Sequence, residues 1–196
     1  DRNGEVLRWI RSDAGERYIW KPIESIPTLL QKAFIATEDK RFYQHGGVDL
    51  VAIFRAARDN IKHGRIVSGA STITQQLVRL VHPVDRTFFQ KFLQAVNAIR
   101  VEGKFEKDQI LELYLNRVPL GNNLLGVEAA SKIYFGKSSS QLTLPEIAVL
   151  ASLPKAPSLM NPYGDRFNRL MDRKNWVLDR MLQLRFITHK DKEGLE

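Results

Sequence analysis

The sequence predicts a mainly α-helical fold, and three features of it do so. Apolar residues recur at steps of three and four through most of the chain, the spacing of one helix face. Helix-start signatures of the Ser/Thr-x-x-Glu/Gln kind stand ahead of two apolar runs, Thr72 with Gln75 and Thr143 with Glu146. Strand-like sequence is confined to residues 5–20. At 196 residues the chain can bury one sizeable core, as a single domain or as two lobes sharing a cleft.

In chain order, Val6–Ile10 and Arg17–Trp20 flank a turn at Asp13-Ala14-Gly15 and read as a short β-hairpin. Pro22 and Pro27 punctuate the entry to a first helix, whose stripe is Ile26, Leu30, Ala33, Phe34 and Thr37. If that helix continues, Glu38 and Phe42 fall on the same stripe. Gly46-Gly47 closes the segment. A second helix covers Leu50 to His63, with Leu50, Phe54, Ala57 and Ile61 on an apolar face and Arg55, Arg58 and Lys62 on a basic one. Such a face is either simply solvated or a docking surface for anionic lipid headgroups. The next helix starts in Ser68–Leu80, and residues 86–102 make a third strong one, striped by Phe88, Phe92, Ala95, Val96 and Ile99. That stripe reads most simply as core, although Phe88-Phe89 and Phe92-Leu93 give more bulk than one buried face needs, and contact of part of that surface with lipid is the alternative.

Lys107 to Asn116 is a further helix, and Gly121-Asn122-Asn123 after it can take positive φ. Gly126 to Tyr134 is rich in small residues and reads as a closely packed helix. The run Ile147–Leu153 is nearly all apolar and should be the central buried helix. Pro154, Pro157 and Pro162 predict an extended connector. A last helix spans roughly 165–185, with Phe167, Leu170, Met171, Val177, Leu178, Met181 and Leu182 inward.

Composition excludes several chemistries. With no cysteine there is neither a disulfide nor a thiolate nucleophile. Thirty basic against 22 acidic residues give a net charge of +8, which favours an anionic partner. No stretch reaches the roughly 18 continuous apolar residues of a membrane span, and no signal-peptide pattern is present. P-loop, dinucleotide-binding, zinc-protease and Gly-x-Ser-x-Gly motifs are all missing, and the four histidines are far apart. No base-reading motif accompanies the positive charge, which argues against nucleic acid.

What remains is Glu38 in an apolar stripe, a hydroxyl- and amide-rich helix start at Ser71-Thr72-Ile73-Thr74-Gln75-Gln76, and scattered cations. An acid so placed reads equally as a structural ion pair with Lys40, Arg41 or His45, or as a general acid or base. The helix start reads as an ordinary cap or as a phosphate site. Together they suit attack by a sugar hydroxyl with a phosphate leaving group.

The runs Glu38-Asp39-x-x-Phe42-x-x-His45-x-Gly47 and Gly69-x-Ser71-Thr72-Ile73-Thr74-Gln75-Gln76-Leu77 strongly resemble the signatures of the family-51 peptidoglycan glycosyltransferases. These are the glycan-polymerising domains of class A penicillin-binding proteins and monofunctional transglycosylases. The similarity continues through Ile110-Leu111-Glu112-x-Tyr114-Leu115-Asn116, Gly126-Val127-Glu128-Ala129-Ala130, Tyr134-Phe135-Gly136-Lys137 and Leu153-Pro154-Lys155-Ala156-Pro157. The resemblance implies a lysozyme-like, mostly helical fold with a globular head and a smaller membrane-facing jaw, near which the basic helix would lie. Residues 1–196 would form one glycosyltransferase domain, with a membrane anchor and any transpeptidase domain outside this chain. It would work at the outer face of the bacterial cytoplasmic membrane.

The resemblance further implies inverting polymerisation of lipid II with release of undecaprenyl pyrophosphate, and Glu38 as general base. Asp39, Phe42, His45 and Gly69 belong to the substrate-binding set, while Ser71, Thr72, Thr74, Gln75 and Gln76 would line the cleft floor. Arg79 occupies the place of the family's usual lysine, and Arg86 that of its pyrophosphate-binding arginine. The third motif departs from the family's Arg-Lys-x-x-Glu: Gln90-Lys91-Phe92-Leu93-Gln94 keeps Lys91 but replaces the second carboxylate by Gln94. This depletion suits a penicillin-binding protein 1C-like branch or a weak polymerase. No cofactor is evident, and Gln94 argues against the magnesium or manganese ion that a carboxylate there would hold. The expected partners are lipid II, the growing lipid-linked glycan, the membrane surface and cell-wall synthesis proteins. Two other readings stay open: a lysozyme-like glycan-cleaving enzyme, and a low-activity lipid II-binding scaffold.

Overall fold

The computed structural model describes residues 15–65, 69–83, 87–157 and 167–194. Its elements in chain order are strand β1 (Arg17–Tyr18), helices α1 (Thr28–Glu38), α2 (Leu50–His63), α3 (Ile73–Val81), α4 (Phe88–Glu102) and α5 (Lys107–Arg117), strand β2 (Leu124–Leu125), and helices α6 (Val127–Phe135), α7 (Leu144–Ser152), α8 (Phe167–Gln183) and α9 (His189–Glu193). Single 3-10 turns lie at Ile23–Ser25, Phe42–Gln44, Ser139–Gln141 and Leu153–Lys155. The mainly α expectation holds. Two compact units result: one is Phe34–Tyr114, the other the described residues of Asp1–Ala33 and Leu115–Glu196.

In the second of these units, α7 is the central buried helix its apolar run predicts. Ile147 to Ser152 are all buried, and α7 packs on α8 through Leu170, Val177, Leu178 and Met181. Each large aliphatic side chain removed from water there contributes about 1.5–3 kcal/mol before ordering costs. Phe167, expected inward, is exposed at the start of α8. The box ahead of α7 forms as expected, with Thr143 N donating to Glu146 Oε2 at 2.7 Å. Burial alone would raise the Glu146 pKa, but the Lys137 ion pair and the Thr143 bonds outweigh it and hold the carboxyl below its usual value.

The expected hairpin is only half accessible to description, because Val6–Ile10 lies outside the described residues. Arg17–Tyr18 does form a strand, paired in parallel with Leu124–Leu125. Beside it, Asn116 Oδ1 accepts from Lys21 N and its Nδ2 donates to Lys21 O, both at 2.8 Å, as a neighbouring strand would. Main chain approaches main chain here as well: a Cβ on Gly126, at φ +80, would lie 2.6 Å from Asn116 O. Gly121, Asn122 and Asn123 all take the positive φ that their run predicts. The Pro-rich connector differs from expectation at its start, where Pro154 opens a 3-10 turn instead of extended chain; Pro162 lies outside the described residues. After α8, Arg185 takes φ +56 and the short α9 follows, which the apolar spacing does not foretell.

The unit Phe34–Tyr114 departs more from what periodicity suggests. Helix α2 is well made, with Asp49 accepting from Ala52 N at 2.9 Å and Gly64 in the left-handed region at its end. Its apolar face is nevertheless outside: Leu50, Phe54 and Ile61 are 64%, 75% and 82% exposed, and only Ala52 and Ala56 are buried. On α4 two residues of the stripe read as core, Phe92 and Ile99, are exposed, as is Phe89 of the excess bulk, while Ala98 is buried. Periodicity reports that a helix has an apolar side; it does not report what covers that side. Ala98 is covered for a local reason. Gly47 sits at φ +91 against it, so close that a Cβ would lie 2.7 Å from the Ala98 carbonyl. Glycine is required there both by the left-handed backbone and by that approach.

Candidate active site

All the residues singled out for chemistry fall within Phe34–Tyr114. Helix α1 runs from an apolar start to a polar end. Ile26, Leu30, Ala33 and Phe34 are buried as predicted, and Glu38 is the last helical residue, half-buried. The helix does not continue to Phe42. Phe42 is reached through a 3-10 turn and is fully buried, edge-on to Tyr43 and His45, with Lys107 Nζ 4.5 Å from its ring centroid. Tyr43 donates to Asp108 Oδ1 at 2.8 Å, and burial, then that bond and charge, push its pKa up to about 12.

Asp39, only 7% exposed, is the hub of the turn. Its Oδ2 accepts from Ile73 N at 3.0 Å, and His45 Nε2 donates to both carboxylate oxygens, at 3.1 and 2.9 Å. Ile73 is the first residue of α3, where the main-chain N–H has no partner within the helix and the dipole is positive. A buried carboxylate is suited to that place, since two directed donors compensate its loss of water.

The N-terminus of α3 is closed by the predicted capping box. Thr72 Oγ1 accepts from Gln75 N and Thr72 N donates to Gln75 Oε1, each at 3.1 Å. Thr72 Oγ1 also donates to Gly47 O at 2.6 Å. Thr74 is fully buried, its hydroxyl donating to Glu102 Oε1, which Lys107 Nζ also engages at 2.7 Å. Gly69 and Ser71 are exposed just ahead of the cap. One turn into α3, Gln76 Nε2 donates to Glu38 Oε2 at 2.9 Å. The pair Glu38 and Gln76 is therefore assembled by the fold from residues 38 apart in sequence.

A small cavity of about 80 Å³ lies along α3 and α4, lined by Val78, Arg79, His82, Gln90, Leu93 and Gln94 among others. It brings together Arg79 and Gln94, two of the predicted residues, and contains no carboxylate in its lining. Gln94 has a definite structural role, because its Nε2 donates to Gln75 O at 2.8 Å and so ties α4 to α3. Lys91 is exposed, and Arg86 lies outside the described residues. Among the described residues, no group of three or more His, Asp or Glu side chains is placed to hold a metal ion. Sequence reasoning missed Glu102 with Lys107, which secure Thr74, and the role of Tyr114, whose hydroxyl donates to Gln76 Oε1 at 3.2 Å. A phenol placed inside an otherwise apolar helix face is the signal that could have found Tyr114.

The comparisons agree with one another. The Transglycosylase family profile matches residues 3–182. Penicillin-binding protein 1A of Escherichia coli is 50% identical over 89% of this chain, and that of Aquifex aeolicus 46% identical over 91%. The chain spans 21% and 24% of the length of those relatives. Among solved structures, penicillin-binding protein 1A from Haemophilus influenzae aligns with 91% of this chain and 17% of its own, at 30% identity and a TM-score of 0.55.

The Gln94 tie predicts the outcome of restoring a carboxylate. In Gln94→Glu an ionised acid would face the Gln75 carbonyl with no proton to donate, costing about 1–3 kcal/mol. The introduced carboxyl would titrate above its unfolded value of about 4.3. The loss relative to the parent should therefore be small below that pH and grow as pH rises through the folded pKa. Chemical denaturation of both proteins across pH 4–8 checks it.

Proposed function

The chain belongs to the transglycosylase family, and from that premise we propose that it is a peptidoglycan glycosyltransferase polymerising lipid II into glycan strands. The observation that carries the reading is the half-buried Glu38 carboxylate at the end of α1, engaged by Gln76 Nε2 at 2.9 Å. In the proposed step Glu38 takes the proton of the acceptor sugar's 4-hydroxyl as that oxygen attacks the anomeric carbon of the growing chain. The bond from that carbon to phosphate breaks with inversion, and its electron pair leaves with undecaprenyl pyrophosphate. A side chain that removes a proton in such a transition state supplies about 10²–10⁴-fold in rate. Arg79, exposed beside the cavity of α3 and α4, is proposed to meet the departing pyrophosphate, with Arg86 and Lys91 as further cations. Ser71, Gln75 and Gln76 are proposed to contact substrate, whereas Asp39, Phe42, His45, Thr72 and Thr74 act by holding the site together.

No step runs through a divalent cation. The cavity offers a guanidinium, an imidazole and amides, a donor set poorly suited to a hard ion that prefers carboxylate and water oxygens.

The exposed faces of α2 and α4 support a place at the lipid surface. Leu50, Phe54 and Ile61 share α2 with Arg55, Arg58 and Lys62, the composition of a helix that lies in a bilayer interface. We assign the docked surface to the outer face of the cytoplasmic membrane. None of the described helices is long and apolar enough to cross a membrane.

Two measurements test this reading. Glu38→Gln should lower polymerisation of lipid II by about 10²-fold or more while leaving the fold intact; undiminished polymerisation would remove Glu38 as the base. Tight lipid II binding by the parent protein with no turnover would point instead to a scaffold. Phe54→Ser with Ile61→Ser should weaken sedimentation with anionic vesicles by about tenfold or more, and unchanged binding would remove α2 as the docking face.

A further inference from the structure

Tyr114 is the largest fully buried side chain of the described residues. Its ring meets Phe34 edge-on, with centroids 6.4 Å apart and planes at 75°. Its hydroxyl donates to Gln76 Oε1 at 3.2 Å, and the other end of the same amide, Nε2, donates to Glu38 Oε2 at 2.9 Å. A carboxamide has one accepting end and one donating end, and a half-turn about its last bond exchanges them. After that half-turn the amide oxygen of Gln76 would face the Glu38 carboxylate, acceptor against acceptor. The carboxylate, which only accepts, disfavours that half-turn, and the tyrosine hydroxyl, by donating to Oε1, engages the opposite end of the amide in the same sense.

The tyrosine hydroxyl keeps its proton throughout the working range. Burial is the largest cause pushing the Tyr114 pKa well above its ordinary value, and the negative charge of Glu38 is the next. Arg79 pulls in the other direction and Asp39 adds to the push. The hydroxyl thus keeps a proton to donate to Gln76 Oε1.

We propose that Tyr114 is a positioning residue for the base: by tethering the Oε1 end of Gln76, it steadies the amide with its N–H end on Glu38 Oε2 and so supports one orientation of the carboxylate and its ionised form. The inference rests on the reading of Glu38 as the base. It gives the tyrosine a part in the reaction even though the amide and the carboxylate stand between its hydroxyl and the sugar hydroxyl.

Tyr114→Phe keeps the ring and its contact with Phe34 while deleting the donor. It should lower kcat for lipid II polymerisation by roughly two- to tenfold, the worth of one hydrogen bond, and leave KM essentially unchanged. The acid limb of the kcat profile should move to higher pH, because an amide that has lost its tether donates less firmly to the carboxylate, which is then protonated more easily. Gln76→Ala should move the limb in the same direction, and adding Tyr114→Phe to Gln76→Ala should cost nothing further. An acid limb that stays in place in Tyr114→Phe, or an equal loss with and without Gln76, overturns the inference. Should Tyr114→Phe fail to fold, an unmoved limb in Gln76→Ala still overturns it. Polymerisation that survives Glu38→Gln would instead overturn the underlying assignment of the base, so the two failures are told apart.

Discussion

The Phe34–Tyr114 unit depends on one buried carboxylate. Asp39 follows the last residue of α1 directly, and it accepts from the first N–H of α3. That single bond joins the end of one helix to the beginning of another. Its geometric consequence is immediate. Glu38 is the neighbour of Asp39 in sequence, and Gln76 lies three residues, or nearly one helical turn, after Ile73. Fixing Asp39 to Ile73 therefore sets Glu38 within reach of Gln76, which the 2.9 Å contact records. A charge-assisted bond at a buried helix start is among the stronger polar interactions available to a protein, and leaving either partner unpaired is costly.

The other contacts of the site serve the same junction. His45 braces Asp39 from the far side of the turn, and Thr72 reaches Gly47. Gly47 in turn packs its main chain on Ala98 of α4. Gln94 ties α4 back to α3 through the Gln75 carbonyl, and Tyr114 of α5 reaches Gln76. The conspicuous polar residues of the helix start thus divide into two groups. Thr72 and Thr74 turn their hydroxyls inward to hold the frame, while Gln76 faces the carboxylate. Gln94, which in sequence is a missing charge, is in structure a working donor that an ionised glutamate could not replace.

Much of this was legible in the sequence because it is local. The stripe of α1, the capping boxes at Thr72 and Thr143, the positive φ at Asn122 and Asn123 and the buried run of α7 all follow from spacing and side-chain chemistry within a few residues. What could not be read depends on distant partners. The spacing of α2 and α4 implied an apolar side for each but not its exposure, since Phe54 and Phe92 look the same in sequence whether protein or lipid faces them. Burial of Thr74 follows from Glu102 and Lys107, which no motif links to it. The end of α1 at Glu38 depends on Asp39 leaving the helix to cap another one, a competition that helical periodicity does not describe.

The claim that Asp39 organises the site is tested most directly by amide hydrogen exchange at Ile73. The first N–H of a helix ordinarily has no partner and exchanges freely. Here it should be protected, and Asp39→Ala should speed its exchange by about tenfold to a hundredfold, the range expected for a hydrogen bond to a charged group. Free exchange at Ile73 in the parent protein, or protection that survives the loss of the Asp39 carboxylate, would contradict the account.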